Sequence, residues 1–307
     1  MRMVNPAWFI VPLLLVSSAS AKTVGVHWIN RAESLESRKD WQGLQVLAGQ
    51  WVKAQPQRTS AWFALGEAYG HAGQYAQAID AYRQALKIDP KFALAWQNLG
   101  LVNDNAGQYQ QAIDAERQAL QINPQDVGAW INLGLAYDGT GQYAQAIDAY
   151  RQALQIDPKF ALAWQNLGLA YSHAGQYAQA IDAFRQALQI DPKFALAWQN
   201  LGLVNDNAGQ YQQAIAAERQ ALKINPQDVD AWASLGFSYG EAGQYKQAID
   251  AERQALKINP QDAKAWFALG FTYSLASQQN QALAVYQHLK TLDPALAQKL
   301  FDQIVPK

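Results

Sequence analysis

The chain has 307 residues, with 24 Lys and Arg against 25 Asp and Glu and a formal net charge of −1. That balance lacks the basic surplus with which a protein neutralises phosphate backbones, and it argues against nucleic-acid binding. There is no cysteine, which removes thiol catalysis, thiolate metal sites, disulfides and lipid attachment through cysteine.

Residues 1–21 have the grammar of a secretory signal peptide: Arg2 near the start, an apolar run from Ala7 to Val16, then Ser17-Ser18-Ala19-Ser20-Ala21. The run is shorter than the roughly 20 apolar residues that span a bilayer. The expectation is cleavage after Ala21 and a periplasmic or secreted protein without a membrane segment; the alternative is an anchor that is kept. Residues 22–58 show no clean repeat but sit in register with the regular units after them. Trp28 precedes Trp62 by one period, Pro56 precedes Pro90, and Trp41 matches Tyr75. This reads as a degenerate capping repeat, since terminal repeats lack a neighbour on one face. Trp41 and Trp51 are expected to cover its exposed end.

From 59 to 296 the chain runs in seven units of one length: 59–92, 93–126, 127–160, 161–194, 195–228, 229–262 and 263–296. Trp62, Trp96, Trp130, Trp164, Trp198, Trp232 and Trp266 keep the period. The unit 93–126 recurs at 195–228 with two changes, Asp114 giving way to Ala216 and Gln121 to Lys223. A fixed period of this size is the signature of a solenoid. In the second unit the spacing predicts helix A over Leu94 to Ala106 and helix B over Tyr109 to Ile122. Gly107 supplies a left-handed turn between them, and Asn123-Pro124 ends helix B. Gly100 and its equivalents lie inside helix A at a cost of about 0.5–1 kcal/mol each. The expected reason is a close approach of helix B, with Ala112 facing the bare backbone. On helix B, Arg83, Arg117, Arg151, Arg185 and Arg253 each follow an acid by three residues, which reads as a solvated face. After Pro294, the stripe Leu296, Leu300, Ile304 predicts a capping helix over 297–307.

These residues resemble the tetratricopeptide repeat. In the unit 59–92 the match is complete at Trp62, Leu65, Gly66, Tyr69, Ala78, Tyr82, Ala85 and Pro90. Two units depart together at Asn103 with Glu116 and at Asn205 with Glu218; a third departs at Glu252, and the last at Ser277, Gln279 and Leu289. The resemblance implies an all-α, right-handed superhelical solenoid of about eight helix-turn-helix repeats with a C-terminal capping helix, its helix A row lining a concave groove. The paired departures predict hydrogen bonds from Asn103 to Glu116 and from Asn205 to Glu218.

No arrangement of His, Ser, Asp or Glu reads as catalytic, so no enzyme activity, cofactor or metal is expected. The remaining signal lies on helix A, on the side not used for packing. Asn98, Asn132, Asn166 and Asn200 form a ladder, accompanied by Gln97, Gln165 and Gln199, by Leu101, Leu135, Leu169 and Leu203, and by Asp104, Asp138 and Asp206. An amide offers donors and an acceptor to a peptide backbone. Exposed apolar rows rimmed by polar groups mark interaction sites. The row resembles the asparagine ladder in the tetratricopeptide region of protein O-linked N-acetylglucosamine transferases, which implies a grip on extended peptide. The reading is a scaffold that binds extended segments of partner proteins, in the setting of bacterial cell-envelope assembly. The rival readings are a purely structural ladder, and a spacer or oligomerisation module that makes contacts through its ends or outer face.

Overall fold

The computed structural model describes residues 24–304, and among them the regular structure is α-helix throughout. The helices are α1 Val24–Ser37, α2 Trp41–Ala54, α3 Thr59–His71, α4 Tyr75–Ile88, α5 Ala93–Asn105, α6 Tyr109–Ile122, α7 Val127–Gly139 and α8 Tyr143–Ile156. They continue as α9 Ala161–His173, α10 Tyr177–Ile190, α11 Ala195–Asn207, α12 Tyr211–Ile224, α13 Val229–Glu241, α14 Tyr245–Ile258, α15 Ala263–Leu275, α16 Gln279–Leu292 and α17 Pro294–Ile304. The chain forms two compact units that meet in sequence at Pro158 and Lys159, so α1–α8 belong to the first and α9–α17 to the second. Within each unit an A helix pairs with the B helix after it, and that B helix packs on the next A helix. The proposed signal segment lies outside the described residues. No helix among those described is long and apolar enough to cross a membrane.

The local rules behind the hairpin are visible in one repeat. Gly107 closes α5 at φ 73°, where an L side chain would be strained. The last repeat has Ser277 at that position and holds it at φ 59°. Each Trp does more than pack: the indole nitrogen of Trp96 donates to the Pro90 carbonyl at 2.9 Å, and Trp62, Trp130, Trp198, Trp232 and Trp266 repeat the bond to their own prolines. A Pro has no N–H to offer but keeps its carbonyl, so the bond fixes the angle at which one B helix hands over to the next A helix.

The close approach at the helical glycines is real, but its partner differs from the expected Ala112. A Cβ on Gly66 would meet the Tyr82 ring, on Gly134 the Tyr150 ring at 2.5 Å, and on Gly168 the Phe184 ring at 2.7 Å. On Gly100, Gly202 and Gly236 it would meet Glu116, Glu218 and Glu252. In these six repeats the side chain lying across the glycine is therefore the one at the aromatic position of helix B, because it is long enough to cross the hairpin; in the last repeat Leu300 of α17 lies there.

The N-terminal hairpin α1–α2 also departs from expectation. Trp51 is fully buried and stacks on Trp28 with ring centroids 6.2 Å apart. Trp41 stacks on His71 of α3 at 3.6 Å. Trp41 thus seals the joint to the next hairpin instead of covering a free end. At the other end α17 starts at Pro294, three residues before the predicted cap. It buries Ala297, Leu300 and Ile304, while Leu296 is half-buried. Helix B is not a wholly solvated face either. Arg117 donates to the Tyr137 hydroxyl and Arg253 to the Tyr273 hydroxyl, both at 2.6 Å, with each guanidinium over the ring.

Candidate functional site

The first unit places Gln97, Asn98, Leu101 and Asp104 on α5 beside Asn132, Leu135 and Asp138 on α7. The second places Gln165, Asn166 and Leu169 on α9 beside Gln199, Asn200, Leu203 and Asp206 on α11. These side chains are not equally available. Asn98 and Asn166 are each only 8% exposed, and the Asn98 amide lies 3.5 Å from the Tyr82 hydroxyl. Asn132 and Asn200 are half-buried. Gln97 and Gln199 donate to Asp126 and Asp228, at 3.3 and 2.6 Å, and Gln165 is buried. Asp126 and Asp228 also cap the next A helix, accepting from the amides of Ala129 and Ala231 at 3.0 Å. The Gln97 and Gln199 side chains are therefore ties between successive hairpins. Leu101, Leu135 and Leu169 are half-buried, whereas Leu203 is 54% exposed.

In the second unit the exposed row continues past Leu203. Phe237 on α13 is 56% exposed and Phe271 on α15 is 37% exposed, with Leu275 one turn beyond it. Leu203, Phe237 and Phe271 stand at one register of successive A helices. The signal was in the sequence, since each comes one period after the last, but Phe in place of Leu hid it.

The expected pairing of Asn103 with Glu116 and of Asn205 with Glu218 does not form. The Asn103 amide donates to the Leu99 carbonyl at 2.8 Å and Asn205 to Leu201 at 2.7 Å, one turn back on their own helices. The glutamates look instead to the next repeat. Glu218 accepts from the Ser238 hydroxyl at 3.0 Å, and Glu252 from Thr272 at 2.8 Å. Burial pushes Glu218 up to about 8, with Asp206 adding to the rise and the Ser238 hydrogen bond opposing it. Burial raises Glu252 to about 7, opposed by Thr272. Glu116 is fully buried and its carboxyl is raised well above the usual range by burial; the Asn132 amide opposes this without closing a hydrogen bond. Ser238 also meets both carboxyl oxygens of Asp206, at 2.9 and 2.8 Å. Among the described residues no group of three acids or histidines is arranged to hold a metal ion.

Helical hairpins of one length, most of them with a glycine crossed by a helix B side chain and a Trp bonded to the preceding Pro carbonyl, define a repeat family. Residues 102–299 match the model described as the C-terminal domain of cilia and flagella-associated protein 70. Residues 59–92 and 81–114 match tetratricopeptide repeat models. The chain belongs to the tetratricopeptide repeat family. Among solved structures, MamA is 28% identical, with a TM-score of 0.52 over 56% of this chain and 94% of MamA. YrrB, described as a tetratricopeptide repeat protein with an unusual peptide-binding site, is 19% identical, with a TM-score of 0.52 over 61% of this chain and 96% of YrrB. PilF of Pseudomonas aeruginosa is 22% identical, with a TM-score of 0.56 over 68% of this chain and 96% of PilF. The last two likenesses show the fold alone. No curated protein matches the sequence. This tetratricopeptide repeat protein is a protein-interaction scaffold, and no enzymatic family is indicated.

Proposed function

We propose that the scaffold holds extended segments of partner proteins against its A-helix faces and carries no activity of its own. The observation that supports this best is the row Leu203, Phe237 and Phe271, large apolar side chains left in solvent at one register of three successive A helices. Full burial of such a side chain is worth about 1.5–3 kcal/mol, and a bound segment would recover the part that these half-exposed side chains leave unused. Rigid helices present the row, so the ordering cost falls on the partner. Asn200, the more open member of the ladder in the same unit, supplies an amide group one turn before Leu203.

The setting we propose is the cell envelope, on the strength of the segment from Arg2 to Ala21. Mass analysis of exported protein should find Lys22 at the N-terminus. Partners captured by the wild type from an envelope fraction should be lost when Leu203, Phe237 and Phe271 are all changed to Ser, with the melting curve unchanged. Full retention of those partners would move the contact to the outer face or the ends and sink the groove reading.

A further inference from the structure

The acidic cluster beside this apolar row has a feature that packing alone leaves unexplained. Ser238 carries one hydroxyl proton, yet its oxygen lies within 3.0 Å of three carboxyl oxygens, two on Asp206 and one on Glu218. The Ser234 carbonyl, at 3.2 Å, is a fourth acceptor around the same atom. One proton satisfies one of these contacts. The rest need a further positive group, either an extra proton or a cation from outside. Glu218 is 1% exposed, and its other oxygen, Oε1, is buried with no hydrogen-bond partner. Glu218 meets part of this need by keeping its own proton, which leaves the half-buried Asp206 as the charged acid of the cluster. Among the described residues no Lys or Arg is paired with Asp206 or Glu218.

The cluster also has an open mouth. Asp206 is half-buried on α11, one turn after exposed Leu203. Gly240, which stands in the Asp206 register on α13, has no atom within 4 Å of where its Cβ would be. Exposed Phe237 adjoins Ser238, and Glu241 adds negative potential toward Asp206. The arrangement is apolar, acidic, apolar along one face.

Resting on the scaffold reading above, we propose that the A-helix face of the second unit binds a segment in which a Lys or Arg lies between bulky apolar residues. The cation meets the Asp206 carboxylate, which the buried Ser238 ties to Glu218, and the apolar neighbours lie on Leu203 and Phe237. A guanidinium suits the site well, since its parallel N–H donors match the two oxygens of a carboxylate such as Asp206. The copied repeat is an internal control. In the first unit the residue matching Ser238 is Ala136 and the residue matching Leu203 is the half-buried Leu101, so the same acids lack both the hydroxyl bridge and the open apolar flank.

The test uses the whole chain and two short labelled peptides that alternate leucine with either arginine or glutamine. The arginine peptide should bind about tenfold more tightly or better, equivalent to about 1.4 kcal/mol. Asp206→Asn should bring it down to the level of the glutamine peptide, while Asp104→Asn in the first unit leaves it unchanged. Equal binding of the two peptides to the wild type, or an arginine preference that survives Asp206→Asn, would overturn this inference and leave the scaffold reading intact. Binding of neither peptide would overturn both. The wild-type comparison stands even if a variant folds poorly.

Discussion

Residues 93–126 and 195–228 differ at two positions, both on helix B away from its buried stripe, yet the two copies do not have the same interior. In the first, Glu116 is sealed in with no hydrogen bond to either carboxyl oxygen; in the second, Glu218 accepts from Ser238 and shares that hydroxyl with Asp206. In the first, Asn98 reaches toward the Tyr82 hydroxyl of the preceding repeat; in the second, the preceding ring is Phe184, and Asn200 is half-buried. Leu101 is half-buried where Leu203 stands in solvent. None of these differences lies in the copied residues. They come from the repeat before and the repeat after, as a nearest-neighbour architecture requires. A side chain in such an array has its chemistry set by the junction.

The comparison can be broken at the glycine under each glutamate. A Cβ on Gly202 would meet the stem of Glu218, with Cγ at 2.7 Å, and that side chain is pinned by Ser238. On Gly100 it would meet three atoms of Glu116, Cδ at 2.7 Å and Cγ at 2.8 Å with Oε1 nearer still, in a side chain that is fully buried. Overpacking costs about 1–3 kcal/mol, against about 1 kcal/mol gained in helix propensity. Both Gly202→Ala and Gly100→Ala should therefore lower the melting temperature, and Gly100→Ala by more, because three atoms of a sealed side chain must shift where Gly202 displaces one. Equal losses would mean that the junctions do not distinguish the copies.

A comparable effect should come from exchanging the hydroxyl. Ser238→Ala leaves Glu218 and Asp206 without their shared donor, at about 1–3 kcal/mol for buried acceptors left unmet. Ala136→Ser offers Glu116 the donor that Glu218 enjoys and should stabilise by about 0.5–1.5 kcal/mol. Chemical denaturation of the two variants should show shifts of opposite sign; shifts of the same sign would refute the equivalence of the two sites.

The pH dependence sharpens the contrast further. The folded state holds the Glu218 proton up to about 8, against an ordinary value of 4.5, so it binds more protons than the unfolded state across that interval. The stability contributed is complete below about 4.5 and declines as pH rises through about 8. Melting curves of the wild type should fall over this window, and Glu218→Gln should flatten part of the fall. Glu252→Gln should act in the same sense over a window that closes nearer 7. A wild-type curve that rises across the window would rule out these protonated carboxyls.

Much of the fold was legible because every hairpin repeats the same few signals. The helix limits, the turn at Gly107 and the end of helix B before Pro124 come from local chemistry and appear where that chemistry puts them. The site was less legible because its properties depend on residues one repeat away. Asn103 and Glu116 change together in sequence, but Asn103 bonds to its own helix, and a Glu at the aromatic position finds its partner, where it has one, on the next A helix. The position that matters for Glu116 is Ala136, and for Glu218 it is Ser238. Reading each column against the next repeat exposes that pairing; reading each repeat alone does not. The same holds for Gln97 and Gln199, which look like groove residues within one repeat and serve as ties to Asp126 and Asp228 across two.

The last helix bears on how chains meet one another. In α17, Leu300 falls one period after Trp266 and lies over Gly270, where its Cδ2 would be 2.5 Å from an added Cβ. Its inner face is buried on α15 and α16, while Gln298, Lys299, Asp302 and Gln303 face water. A stack of like hairpins ends, in principle, in a surface that fits the beginning of another such stack, a head-to-tail contact that does not close on itself and grows into filaments. Helix α17 sets a polar face where such a contact would form. Deleting residues 294–307 should convert a chain of fixed mass into one whose light-scattering mass climbs with concentration, and a mass independent of concentration would show that the end is inert without it.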